Sequence, residues 1–200
     1  MALVVINFQA YSPYVGTGTV VPLSFTQGQS PPITLSAHYP PELGCLGIGT
    51  TPGSYTQVGV VTDIEARITD RGQQMLARSS VDGTAFNIYT MALGTGGYDP
   101  AVPTRALWVN PSSIALGNEV IRRPIDAVEM PGYLGSRAYV CRFDQDSFVG
   151  GIGEIGLWAE IVHSDDPSEI GETFLFAVAH QGLNTKTRHH IMTVRVFVTV

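Results

Sequence analysis

The stretch Gly150–Glu160, GGIGEIGLWAE, decides what kind of fold this chain has. Gly151, Gly153 and Gly156 stand at the G-x-G-x-x-G spacing of a dinucleotide-binding turn. Such a turn needs a strand before the first glycine and a helix opening at the third, so that the helix N-terminus meets the pyrophosphate. After Gly156 the chain instead reads LWAEIVHSDDPSEIG, a mostly apolar run followed by a turn over Ser164–Pro167. That is one strand and a turn, too short for a crossover helix. Glu172 stands at a distance tolerable for a ribose-binding acid, but an isolated acid at that range is common. Read as a strand, Ile152, Glu154, Gly156 and Trp158 share one face, with Gly153, Ile155 and Leu157 on the other. Glycine inside a strand marks a bulge or a close backbone approach. Gly153 and Gly156 are therefore expected to make room for a packed neighbour. Glu154 is expected to be held by an arginine, with Arg122 the leading partner.

Period-2 alternation extends to other segments. In IMTVRVFVTV, Met192, Val194, Val196, Val198 and Val200 point one way and Thr193, Arg195, Phe197 and Thr199 the other. Such a β-branched strand must be paired or covered, since a bare edge invites aggregation. FNIYTMAL (Phe86–Leu93), SRAYVCRF (Ser136–Phe143) and ETFLFAVAH (Glu172–His180) are further strands separated by Gly-, Asp- and Pro-rich turns. One segment breaks the pattern. In ITDRGQQMLARSS, Thr69 is an N-cap, Asp70 lies in the first turn, and Met75 and Leu76 form an apolar stripe. It predicts one short helix near residues 69–80. Gly72 within it costs stability relative to Ala, so a neighbour is expected to pack closely there. The fold class is mainly β, with β-sandwich-like antiparallel sheets, one short α-helix and minor α+β character.

Residues 1–62 differ in composition. They hold seven of the 13 prolines, and Glu42 is their only charged side chain. The segment is too apolar for a solvated disordered tail. It reads as a Pro/Gly-rich β or arm region laid against partners, with a β domain over residues 63–200. Across the whole chain only 14% of residues are charged, against about a quarter in ordinary soluble domains. Lys186 is the only lysine among 11 basic residues. Lysine depletion suits a surface that meets other protein, although a genomic preference for arginine would produce the same count.

A net charge of −6 argues against a binder of nucleic-acid phosphates. The run ALVVI near the start falls far short of the roughly 20 apolar residues of a membrane span, and no basic signal-peptide region precedes it. Cys45 and Cys141 are too few for a disulfide scaffold or a zinc site; they read as core thiols, or as one bridge. GTGGYDP (Gly94–Pro100) lacks the Lys-Ser/Thr of a phosphate loop. Asp144, Asp146, Asp165 and Asp166 lack the calcium-loop spacing and read as solvated turn acids. His189 and His190, adjacent on a strand, face opposite sides. No G-x-S-x-G, no H-E-x-x-H and no cysteine with an obvious base partner is present. The expectation is a protein that is not an enzyme, with no cofactor, metal or small-molecule ligand.

From about Thr62 onward, the order of the motifs resembles the attachment domain of phage tail-collar fibre proteins. ARITDRGQQMLARS is similar to that family's opening T-D-x-G helix, and YTMALGTGGYDPAVPTRAL to its strand, glycine-rich turn and T-x-L. GNEVIRRPI (Gly117–Ile125) resembles its acid- and arginine-bearing segment, FVGGIGEIGLWAE its E-I-G-L strand, and GETFLFAVAH with Lys186 its closing hairpin. The resemblance implies a structural role for Glu154, Ile155, Gly156, Leu157 and Trp158, and a place in the virion tail, made and assembled in the host cytoplasm. In that family a long shaft follows the domain. Here the extra segment comes first, so the expected role is a tail or baseplate part that connects or anchors fibres. Its expected partners are other tail, baseplate or fibre proteins and further copies of itself, as a trimer or ring. A receptor- or glycan-binding module, stacking sugars on Trp108, Tyr98 or Tyr133, is the alternative. A nucleotide-dependent enzyme is the third possibility.

Overall fold

The computed structural model describes residues 2–12, 54–130, 136–144, 146–186 and 190–199. Strands β1 (Ala2–Ser12) and β2 (Ser54–Ile68) lead into the helix α1 (Asp70–Val81) and strand β3 (Ala85–Gly94). Two short strands follow, β4 (Tyr98–Asp99) and β5 (Val102–Ala106), then β6 (Glu119–Pro124) and β7 (Ala127–Glu129). The remainder is β8 (Ser136–Phe143), β9 (Gly150–His163), β10 (Thr173–Lys186) and β11 (His190–Thr199). Among the described residues the fold is mainly antiparallel β with one α-helix.

The main sheet runs β6-β3-β9-β10-β2-β1-β11-β8-β7, and β4 and β5 form a separate ribbon. The main sheet folds back on itself, as the two layers of a sandwich do. One layer is β6-β3-β9-β10 and the other β2-β1-β11-β8-β7. They join at one corner through a short register, Ala177↔Ile68 to Ala179↔Ala66. At the opposite corner the chain itself switches layers. The Ile125 N–H donates to Tyr89 O on β3 at 2.9 Å, and the next N–H, of Asp126, donates to Val140 O on β8 at 2.9 Å. Between the layers, Val196 of β11 lines the same small apolar gap as Ile155 and Leu157 of β9.

Alternation decides which side chains enter that core. Met192, Val194, Val196 and Val198 are all buried in it, while Thr193, Arg195 and Phe197 are half-buried on the other face. β11 is paired along both edges, to β1 and to β8. The helix closes the core at one end. Thr69 caps it, its Oγ1 accepting from Gly72 N–H at 3.0 Å and donating to Leu175 O at 2.5 Å. Met75 is fully buried, with Leu76, Phe86, Phe174 and Phe176 packed around the same cluster. A fully buried side chain of this size is worth about 1.5–3 kcal/mol relative to exposure. A Cβ on Gly72 would run into the carbonyl oxygen of Phe176, which is the close neighbour expected there.

Two expectations need correction. The boundary between residues 62 and 63 falls inside β2, and β1 lies in the middle of the second layer, between β2 and β11. Residues 2–12 and 54–62 are thus part of the same sheet as the rest. The apolar run that suggested an arm supplies a strand paired on both sides; residues 13–53 lie outside the described residues. Along β9, Ile152 joins Ile155 in the core instead of sharing the face of Glu154. The pairing of β9 with β10 is irregular at this point, advancing two positions along β9, from Glu154 to Ile152, and four along β10, from His180 to Asn184.

Candidate functional site

The outer face of the first layer carries the residues that the glycine motif singled out. Pairing places Pro124, Thr90, Trp158 and Leu175 in one row across β6, β3, β9 and β10. The next row is Arg122, Ala92, Gly156 and Val178, and the third is Glu119, Gly94, Glu154 and His180. The middle row is nearly free of bulk at Ala92 and Gly156. An excursion of the chain between β3 and β6, residues 95–118, folds down over this face and fills the depression with Leu116. A Cβ at Gly156 would stand 3.1 Å from Leu116 Cδ2 and 3.0 Å from Leu175 Cδ1. Ala92, Val109, Leu116, Trp158, Leu175 and Val178 make a second apolar cluster, separate from the main core. Leu157, pointing the other way, is buried in that main core. Gly153 meets the carbonyl oxygen of Gly96 so closely that no side chain fits there.

Glu154 anchors the excursion. It is only 4% exposed, and its carboxylate accepts from the N–H groups of Gly117 at 3.2 Å and Asn118 at 3.3 Å. Gly94, Gly96 and Gly117 line the carboxylate, and a Cβ on any of them would press against it. His180 Nε2 lies 3.9 Å from Glu154 Oε1, and its Nδ1 lies 3.2 Å from Leu107 O. The two ends of the loop 107–118 are therefore tied to neighbouring residues of one row. A buried carboxylate needs such partners, because an unpaired one would cost several kcal/mol.

Arg122 is not the partner of Glu154. Its Nε and Nη2 donate to Glu119 at 2.9 and 2.8 Å, and its guanidinium lies 3.7 Å from the centre of the Trp158 ring. Arg122 sits one row away from Glu154, and backbone N–H groups from the glycine-rich loop reach the carboxylate instead. The only advance sign of this arrangement was the concentration of glycine at residues 94, 96, 97 and 117.

Above this base the excursion presents apolar side chains to solvent. Trp108 is 66% exposed and Ile114 84%, with Leu107 also exposed. The Arg67 guanidinium lies 5.4 Å from the Trp108 ring centre. The loop also meets the helix start, where Asp70 N–H donates to Pro111 O at 2.8 Å and Ser112 Oγ donates to Asp70 Oδ2. Trp158 is buried, and Tyr133 lies outside the described residues.

The remaining candidates have structural surroundings. GGIGEIG lies within one continuous strand, β9, with no helix opening at Gly156. Asp166 caps a 3-10 turn at Pro167–Glu169, and Asp144 pairs with Arg142 at 3.0 Å. Among the described residues no group of three His, Cys, Asp or Glu side chains is placed to hold a metal ion. Cys141 is a buried thiol whose pKa is pushed up to about 12, chiefly by desolvation; Cys45 lies outside the described residues. Lys186 is fully buried, its Nζ donating to Asp144 O at 2.6 Å and Phe148 O at 2.9 Å. Burial lowers its pKa below the usual lysine range. The chain's one lysine is therefore internal, and its surface positive charge is carried by arginine. No protein-family model matches the chain, and no curated protein matches its sequence.

Proposed function

We propose that this chain is a non-enzymatic structural protein of a phage tail, connecting or anchoring tail fibres to the tail or baseplate. The observation that carries the reading is the excursion over residues 95–118. Its base is fixed by Glu154 while Leu107, Trp108 and Ile114 stand in solvent. A rigid loop presenting aromatic and aliphatic groups is the usual anatomy of a protein-interaction anchor. The order of motifs resembling the tail-collar attachment domain points to assembly as the setting. The partners are then other tail, baseplate or fibre proteins, and copies of this chain in a trimer or ring. Electron microscopy of particles assembled without this chain is the test. Tails lacking fibres are expected, and normal fibres on intact tails would overturn the reading.

The exposure of Trp108 favours a second reading, a receptor- or glycan-binding module of the tail tip. An indole face beside an arginine is a stacking platform for a sugar ring. Specific binding on a glycan array, abolished by Trp108→Ala, would select this reading over the first.

A further inference from the structure

Two buried polar atoms on the outer face of the first layer, Thr90 Oγ1 and Trp158 Nε1, have no hydrogen-bond partner among the described residues. They belong to residues directly opposite one another on β3 and β9, where Cβ atoms lie about 4.5–5.5 Å apart. Both residues are 8% exposed. Buried donors are nearly always satisfied, so two orphans at adjoining positions call for an explanation. Arg122 covers the same place, its guanidinium against the Trp158 ring. Arg122 and Glu119 form an exposed pair on β6, a strand at the end of the sheet order. That pair uses Nε and Nη2, and Nη1 lies outside it. An indole N–H and a guanidinium only donate, and a threonine hydroxyl can donate. The indole N–H and the guanidinium call for an acceptor, and the threonine hydroxyl can donate to the same group. A planar anion with two oxygens suits a guanidinium best.

We propose that Thr90, Trp158 and Arg122 form a notch that takes the carboxylate of an acidic side chain from a partner polypeptide. Arg122 is its movable cover. It swings off the indole with the incoming carboxylate on its guanidinium, and the second oxygen reaches Trp158 Nε1 and Thr90 Oγ1. That the carboxylate comes from protein rests on the assembly role proposed above; the donor notch itself does not.

The chain has two tryptophans, so the indole N–H resonances of the intact ¹⁵N-labelled protein are assigned with the single variant Trp108→Phe. The protein is titrated with sodium acetate against sodium chloride of equal ionic strength, then with the short peptide acetyl-Gly-Glu-Gly-amide. The Trp158 resonance is expected to move and saturate with both carboxylates and to ignore chloride. The peptide should bind at least as tightly as acetate, and its amide analogue with Gln in place of Glu should not bind. Arg122→Gln should weaken the acetate response about tenfold or more, as loss of a charged partner does. Thr90→Val should weaken it less. A Trp158 resonance that moves with neither carboxylate overturns the notch and leaves a bridging water as the partner of the two atoms. Saturation by acetate without peptide binding overturns the protein source alone. Particle assembly is read separately, so failure of the tail reading is distinguishable from failure of the notch.

Discussion

Leu116 Cδ2 lies 3.1 Å from the point that a Cβ on Gly156 would occupy, so one residue's missing side chain is the seat of the other's. Gly156→Val should therefore lift the excursion from the sheet. The expected cost is about 1–3 kcal/mol, the range for overpacked cores, read from the urea midpoint. Gly153→Ala should cost more, although its side chain is smaller. The obstacle at Gly153 is a backbone carbonyl, whereas Leu116 and Leu175 can shift. A Gly156→Val protein with unchanged stability and normal assembly would show that the depression is not needed.

Glu154→Gln replaces one accepting oxygen with an amide that repels the N–H groups of Gly117 or Asn118. The expected loss is about 1–3 kcal/mol, with faster hydrogen exchange at residues 107–118. Arg122→Ala removes an exposed ion pair and a ring contact, worth about 1 kcal/mol or somewhat more. A double variant that loses much less than the sum of the two would restore the Glu154–Arg122 pairing that the sequence suggested.

That pairing shows where sequence reading stopped. The strands β8, β10 and β11 and the cap of α1 were legible because period-2 alternation and capping chemistry are local. The structural nature of the glycine motif was legible too, because no helix could follow it. The partner of Glu154 was not. Charge logic names an arginine, while the actual donors are main-chain groups that every residue has, selected only by how a loop folds. The place of residues 2–12 was hidden for a related reason. Composition marked them as different, but their neighbour β11 lies at the other end of the described chain, and pairing over that distance leaves no local trace.

Thr69→Ala should destabilise the protein by about 1–2 kcal/mol, as loss of a helix N-cap does. At this chain length that lowers Tm by about 2–4 °C per kcal/mol. Thr69→Ser keeps the hydroxyl that serves Gly72 N–H and Leu175 O, and should recover most of the loss. Equal losses for Ala and Ser would mean that the methyl group, not the cap, matters.

Acid should weaken the junction of α1 with the turn after β9. Glu169 accepts from both Nη groups of Arg78 at 2.8 Å and from Ser164 Oγ at 2.7 Å. These bonds, Arg78 first, lower its pKa from 4.5 to about 2. Asp82 is lowered from 3.8 to about 2, chiefly by the Thr84 hydroxyl and N–H. Folded values below the unfolded ones mean that this stability is complete above about pH 4.5 and is lost as pH falls toward 2. Denaturation midpoints measured from pH 7 to pH 2.5 should fall over that window. Glu169→Gln should flatten the fall, and an unchanged slope would remove Glu169 as its source.

Cys141, buried and with its pKa raised to about 12, should not react with a thiol reagent at pH 8 while the protein is folded. With Cys45 replaced by Ala, labelling should proceed only at the rate of opening. Immediate labelling of the native protein would contradict the burial of β8.

The position of β1 sets the order in which the molecule can be completed. β1 precedes every other described strand along the chain, yet the strand that covers one of its edges, β11, is the last described element. β8 waits for the same strand. Until β11 arrives, β1 and β8 of the second layer each carry a bare edge, and one insertion closes both. Closing contacts so remote in sequence are slow to form. Synthesis thus leaves an interval in which one edge of β1 and one edge of β8 are without a partner strand. An assembly pathway has to guard that interval by a chaperone, by a partner strand, or by speed.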